Sequence, residues 1–356
     1  MSYSAARPQL LIDGSDQPAL AERLSALQVI ESPAGLYRCE LRLANYGPDA
    51  QGGAGYLYFD RRLLDFGKAL AVRIAGDTVF NGRISALQGH FAGSSPAEIG
   101  VLAEDKLNDL RMTRRSRVFD NLSDADLVRR LASDHGLSAD VDISGPTHRL
   151  LAQLNDSDLA LLRGRARLAG FELRLDGSTL QAQPRSQRRG SDTTLDYGGT
   201  LQRFDVSADL AGQASRARIS GWDVAAKRAL QADDDAAALA GEAAAAGSGG
   251  QLGTSLLRQA LGERVEQVAH LFPANQAEAD ALARAWLTQL ARRFVRGRGV
   301  AQTQASLRVG STVTLNGLGP LFSGRYDVVG ICHRFDASHG LRTEFEAERA
   351  WVGAAS

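Results

Sequence analysis

Residues 307–351 read LRVGSTVTLNGLGPLFSGRYDVVGICHRFDASHGLRTEFEAERAW, and their pattern decides the fold class. From residue 341 the chain alternates, with Leu341, Thr343, Phe345 and Ala347 on one side and Arg342, Glu344, Glu346 and Glu348 on the other. A two-residue period with one apolar face is a half-buried strand. Residues 326–335 form a longer apolar-rich run that reads as its partner, and residues 336–340 have the composition of the hairpin loop between them. Upstream, residues 312–315 predict a further strand, ended by the glycine-rich turn at 317–320. These residues therefore predict an antiparallel β unit whose three glutamates face solvent or an aqueous lumen.

The same grammar fills the first hundred residues. Tyr37, Cys39, Leu41 and Leu43 alternate with Arg38, Glu40 and Arg42, and short apolar runs follow at 70–74, 79–87 and 97–103. Several strands at that spacing predict a small barrel or sandwich. The period then changes. Ser123 and Asp126 form a capping box before a stripe of Leu127, Val128 and Leu131, with Gly136 as the stop after His135. Asn155 and Asp158 are read as a second cap, ahead of Leu159, Leu162, Ala166, Ala169 and Gly170. A hairpin follows, 171–175 and 180–182 about Asp176 and Gly177.

Strands resume at 201–210 and 214–222. Asp233, Asp234 and Asp235 precede an Ala/Gly-rich segment, 240–253, that reads as a flexible loop or weak helix. Asn275 and Glu278 cap a third helix with Leu282, Trp286, Leu290 and Phe294 on one face, Arg292 and Arg293 at its C-terminal end and Gly297 as its stop. The expected class is α+β, mainly β, with two barrel-like domains. The first spans 1–105 and the second 196–232 plus 300–352. An α+β domain is inserted at 106–195, and a helical and loop insertion at 233–299.

Composition excludes several functions. The 356 residues are 44% hydrophobic, enough for a substantial core. No apolar run reaches the roughly 20 residues of a membrane span, and residues 1–14 show no signal-peptide pattern. The 41 basic and 41 acidic residues balance, which argues against a broad phosphate-attracting field and any nucleic-acid specificity. Lysine occurs only at 68, 106 and 227; arginine suits interface ion pairs, although a GC-rich coding sequence gives the same bias. Cys39 and Cys332 are too sparse for a disulfide framework and read as small buried hydrophobes in a protein made in the cytoplasm.

Catalytic signatures are absent from the sequence. It holds no H-E-x-x-H, no phosphate-binding loop and no G-x-S-x-G, and the glycines at 247–253 miss the dinucleotide fingerprint. The six histidines, at 90, 135, 148, 270, 333 and 339, have no metal-ligand spacing. His333 and His339 straddle a predicted turn and read as one packing and one loop histidine. Glu344 and Glu346 point the same way, as glycosidase carboxylates might, but a row of three glutamates on an exposed strand is a solvated face. No catalytic, cofactor-binding or metal-ligating residue is assigned, no cofactor is expected, and the chain is read as not an enzyme.

Taken together, LRVGSTVTL at 307–315, LFSGRYDVVGICHRF at 321–335 and LRTEF at 341–345 with Arg349 resemble the phage late control protein D family. This family includes the baseplate hubs of contractile tails and the N-terminal part of type VI secretion spike proteins (VgrG). LAED at 102–105 leading to Leu110 and Arg111, NDSDLALL at 155–162, and AGFE at 169–172 resemble the family's middle region. The resemblance implies two tail-tube-like barrels per chain and a homotrimer that joins a sixfold tail tube to a threefold spike. Other baseplate proteins would be further partners, and the assembly site a virion tail or injection-system baseplate. Because the chain ends at Ser356, the spike is expected to be a separate protein. The alternatives are a cell-envelope-degrading tail enzyme, for which no hydrolase module is apparent, and an envelope-binding tail module, for which three tryptophans offer few stacking platforms.

Overall fold

Alternation in the sequence becomes one large sheet. The computed structural model describes residues 7–33, 35–48, 53–187, 190–247 and 249–353. The first six residues of the stretch read for a signal peptide, Ser248 of the Ala/Gly-rich segment and Ser356 lie outside them. The first part of the chain supplies β1 (Gln9–Ile12), β2 (Leu24–Glu31), β3 (Arg38–Ala44), β4 (Ala69–Ile74), β5 (Asp77–His90) and β6 (Glu98–Glu104). Then come β7 (Arg114–Ser123), α1 (Asp124–Asp134), β8 (Ser138–Val141), β9 (Thr147–Ser157), α2 (Asp158–Ala169), β10 (Phe171–Asp176) and β11 (Thr179–Pro184). Next are β12 (Asp192–Asp196), β13 (Leu201–Ala208), β14 (Arg216–Asp223), β15 (Arg228–Asp234) and β16 (Val265–Val268). The chain continues through α3 (Gln276–Arg292), β17 (Val295–Gln302), β18 (Thr312–Asn316), β19 (Gly324–Asp336) and β20 (Gly340–Arg349).

Thirteen strands form the main sheet, in the order β13-β17-β20-β19-β2-β3-β6-β5-β4-β1 and then Ser15–Asp16, with β18 pairing both β19 and β12. Two closed barrels were expected, but the described strands close none. The two strand sets instead meet at a seam where β2 runs antiparallel to β19, from Glu31 opposite Ile331 to Ala26 opposite Asp336. The seam forms because β2 and β19 carry matching apolar faces: Leu27 lies opposite Phe335 and Val29 opposite His333, and all four are buried. An unpaired strand edge leaves its N–H and C=O groups without partners, and each of these strands supplies the other's missing ladder.

Each side of the seam has its own core. Leu41, Val72 and Ile99 belong to one apolar cluster, which Phe335 joins from across the seam. Tyr326, Phe345 and Leu315 belong to the other. Between them in sequence, Phe119, Leu131, Leu162 and Leu173 build a third core inside the small α+β unit. The strand read at 214–222 is not in the main sheet: β14 pairs with β15 and β16, and that small sheet packs on α3.

Three local expectations are corrected. The cap of α2 is Ser157, whose Oγ accepts from the Ala160 amide, while Asn155 takes a left-handed turn conformation (φ 53°). The most deeply buried face of α3 consists of Ala279, Ala283, Leu287 and Ala291, with Leu282, Trp286 and Leu290 half-buried beside it. Gly297 does not stop that helix, which ends at Arg292, but lies inside β17. The reason is steric: a Cβ at Gly297 would sit 2.2 Å from the Phe204 ring, and one at Gly299 2.2 Å from the Phe345 ring. These glycines leave room for two stacked aromatics.

Candidate functional site

The polar chemistry of the chain lies in buried ion clusters that fasten its elements together, and in a cleft beside them. Asp158, the first residue of α2, is fully buried. Its carboxylate takes Arg117 Nη2 at 2.7 Å, Gln153 Nε2 at 2.9 Å and His135 Nε2 at 2.9 Å, and it also pairs with Arg115. Burial opposes its ionisation, yet the bonds from His135 and Gln153 and the charges of Arg117 and Arg115 hold its pKa below the usual carboxylate range.

A second cluster joins the α+β unit to α3. His148 on β9 places Nδ1 2.8 Å from Glu278 and Nε2 3.4 Å from Asp124. Arg165 reaches Asp124 with Nε at 2.6 Å and lies 2.8 Å from His148 Nε2. The hydrogen bonds to Asp124 and Glu278 push the imidazole up to about 9, with burial and Arg165 opposing. Asn275 caps α3 as read, its Oδ1 accepting from the Glu278 amide at 3.0 Å, but the Glu278 carboxylate accepts from the Ala274 amide at 2.8 Å and not from that of the cap residue.

A third cluster centres on Arg185, which donates to Glu172 at 3.0 Å and Glu348 at 2.6 Å. Glu348 is therefore buried, which corrects the reading of three glutamates on an open face. Glu346 pairs with Arg298 at 3.0 Å and Glu344 with Arg334 at 2.9 Å, both partly exposed. The seam has its own pair: Glu31 is buried, accepts from the Val309 amide at 3.0 Å and pairs with Arg308. Burial pushes its carboxyl above the usual range, with Arg308 opposing.

The two C-terminal histidines do not meet. His333 is buried against Thr343 Oγ1 at 3.1 Å, and burial pushes its imidazole down to about 3. His339 sits in the exposed turn beside Asp336. Cys39 is buried and Cys332 half-buried, both as free thiols. Among the described residues no group of three or more His, Cys, Asp or Glu side chains could hold a metal ion, and no helix is long and apolar enough to cross a membrane.

A cleft of about 810 Å³ opens between α2, the C-terminal end of α3 and the polar face of the sheet. Gln289 of α3 donates to the Arg167 carbonyl of α2 at 2.6 Å and fixes the gap between the helices. Arg163 and Arg167 enter from α2, Arg292 and Arg293 from the end of α3, and Arg296 from β17. Sequence reading missed the cleft and the ion clusters because their members are far apart in the chain, His148 and Glu278 by 130 positions. One available signal was the i, i+4 spacing of Arg163 and Arg167, which puts both on one helix face.

With this geometry the chain resembles tail proteins over its whole length. The 43 kDa tail protein of prophage MuSo2 from Shewanella oneidensis matches with a TM-score of 0.71, at 14% identity, over 97% of this chain and 98% of that one. A tail protein from Neisseria meningitidis MC58 matches at 0.66, with 13% identity and 96% of each chain covered. The c3393 protein of E. coli is described as a component of the type VI secretion system with structural similarity to the T4 tail proteins gp27 and gp5. It matches at 0.60 and 10% identity, over 96% of this chain and 76% of its own. The fold is thus the mainly β, α+β fold of these tail proteins. In sequence, a family model described as the Alg8 N-terminal domain matches residues 72–337, and the chain belongs to that family. No curated protein matches its sequence.

Proposed function

We propose that this chain is a structural hub in the baseplate of a contractile tail or injection system, of the late control protein D kind and without catalytic chemistry of its own. Three copies form a ring that adapts a sixfold tail tube to a threefold spike. Each copy is made in the bacterial cytoplasm and assembles there with tube and other baseplate proteins. The observation that carries the reading is the full-length likeness to tail proteins, at a TM-score of 0.71 for the Shewanella protein. It is supported by the division of the main sheet into two halves with separate cores about the β2–β19 seam. If each half is one tube-like unit, β1–β6 on one side and β12, β13 and β17–β20 on the other, three chains present six. The α+β unit and the β14–β16 sheet with α3 are then insertions on the outside of the ring.

Mass photometry of the purified chain, alone and mixed with tube and spike proteins, tests this. A species of three times the protomer mass is expected, at least with the spike present. A strict monomer under all these conditions rejects the hub.

A further inference from the structure

Positive charge collects in the cleft between α2, α3 and the sheet, although the chain as a whole is neutral. Seven arginines line it against three glutamates. The glutamates are already engaged, Glu172 and Glu348 by Arg185 and Glu346 by Arg298. Arg292 is held by Glu242 and Arg111 by Glu104. Arg167, Arg293 and Arg296 are exposed and have no carboxylate partner among the described residues. Two helix C-termini end here, and their dipoles attract about half a charge each. That is well short of three unpaired guanidinium groups.

We propose that this cleft receives a short acidic segment of a partner protein, whose carboxylates are taken by Arg167, Arg293 and Arg296. Guanidinium forks bind carboxylates in pairs of hydrogen bonds, and three of them around one recess select a run of acidic side chains. Phe171, Leu173 and Val329 also line the recess but are buried, so the exposed guanidinium groups carry the recognition. A lone phosphate leaves most of the 810 Å³ unfilled. Single-stranded nucleic acid needs exposed aromatic platforms, and Phe171, the one aromatic residue lining the cleft, is buried. The site stands on its own chemistry, whatever the assembly the chain belongs to.

Fluorescence anisotropy on the full chain tests it, with a labelled peptide of alternating Glu and Leu as the probe. Controls are the same peptide with Gln for Glu, labelled oligothymidylate, and competition by inorganic phosphate. The triple variant Arg167→Gln/Arg293→Gln/Arg296→Gln removes no internal partner and is expected to melt like the parent. Its affinity for the Glu peptide is expected to fall about tenfold or more, the loss of at least one charge-assisted hydrogen bond. Arg149→Gln, an exposed arginine outside the cleft, should change nothing. The proposal is overturned if the Glu peptide does not bind, if the Gln peptide binds equally well, or if the triple variant binds like the parent. It is also overturned if oligothymidylate binds more tightly than the peptide and is lost in the variant, or if phosphate at equal concentration displaces the peptide.

Discussion

Replacing Gly299 with alanine tests the packing of the second half-sheet. Gly299 lies opposite Phe345 in register, and a Cβ there would sit 2.2 Å from Cζ and 2.4 Å from Cε1 of the ring. Carbon atoms pack at about 3.5–4.0 Å, so the overlap exceeds an ångström. The ring has nowhere to go, since Phe345 is buried and stacks on Phe204 with centroids 6.0 Å apart and planes at 20°. Overpacking of this kind costs about 1–3 kcal/mol, offset in part by up to about 1 kcal/mol from the stiffer unfolded chain. Phe345→Ala alone is expected to cost about 3–5 kcal/mol through the cavity it leaves. In the double variant the new methyl enters that cavity, so the combined loss should be smaller than the sum by about 1–3 kcal/mol. Urea unfolding of the four proteins, with m-values compared, measures this coupling. Additivity to within about 0.5 kcal/mol, or a Gly299→Ala protein as stable as the parent, would refute the reasoning.

Asp158→Asn leaves Arg115, Arg117 and His135 around a neutral amide, and thermal unfolding should show a loss of about 3–5 kcal/mol; under about 1 kcal/mol would mean the cluster is screened by water. His148 has a folded pKa raised to about 9, so its contribution is complete below the unfolded value near 6.5 and lost as pH rises through 9. The unfolding free energy should fall across that window by at most roughly 3 kcal/mol, and His148→Gln should flatten the fall; a parent curve that stays level or rises there contradicts the assignment. Glu348→Gln should cost about 2–4 kcal/mol because Glu348 is buried on Arg185, and Glu346→Gln within about 0.5 kcal/mol because its pair with Arg298 is solvated; equal losses by calorimetry would show that the two share an environment.

Much of the sheet was legible because burial imposes a period of two on β3 and β20, and that pattern is local. The β10–β11 hairpin was legible for the same reason, with Asp176 and Gly177 marking its turn. What failed was non-local. Gly297 reads as a helix stop until Phe204, some ninety residues earlier, is placed over it. Glu348 reads as solvated until Arg185 arrives from another part of the chain. The seam was illegible because an alternating strand reveals which face is buried and says nothing of which edge it pairs with. The ion clusters draw their members from two to four separate parts of the chain, and no spacing in the sequence announces them.

The β2–β19 seam also has a consequence for how the chain is made. Glu31 and Ile331 are neighbours in the sheet, yet 300 residues separate them in synthesis. At about 5–20 residues per second, β2 waits roughly 15–60 seconds on the ribosome before its second neighbour exists. During that interval the first half-sheet holds an open hydrogen-bonding edge, the kind of surface that captures stray strands. Nascent chains stalled before residue 331 are therefore the ones that chaperones must shield. Completion of β19 then acts as a late check, because that strand seals the edge from within the same chain.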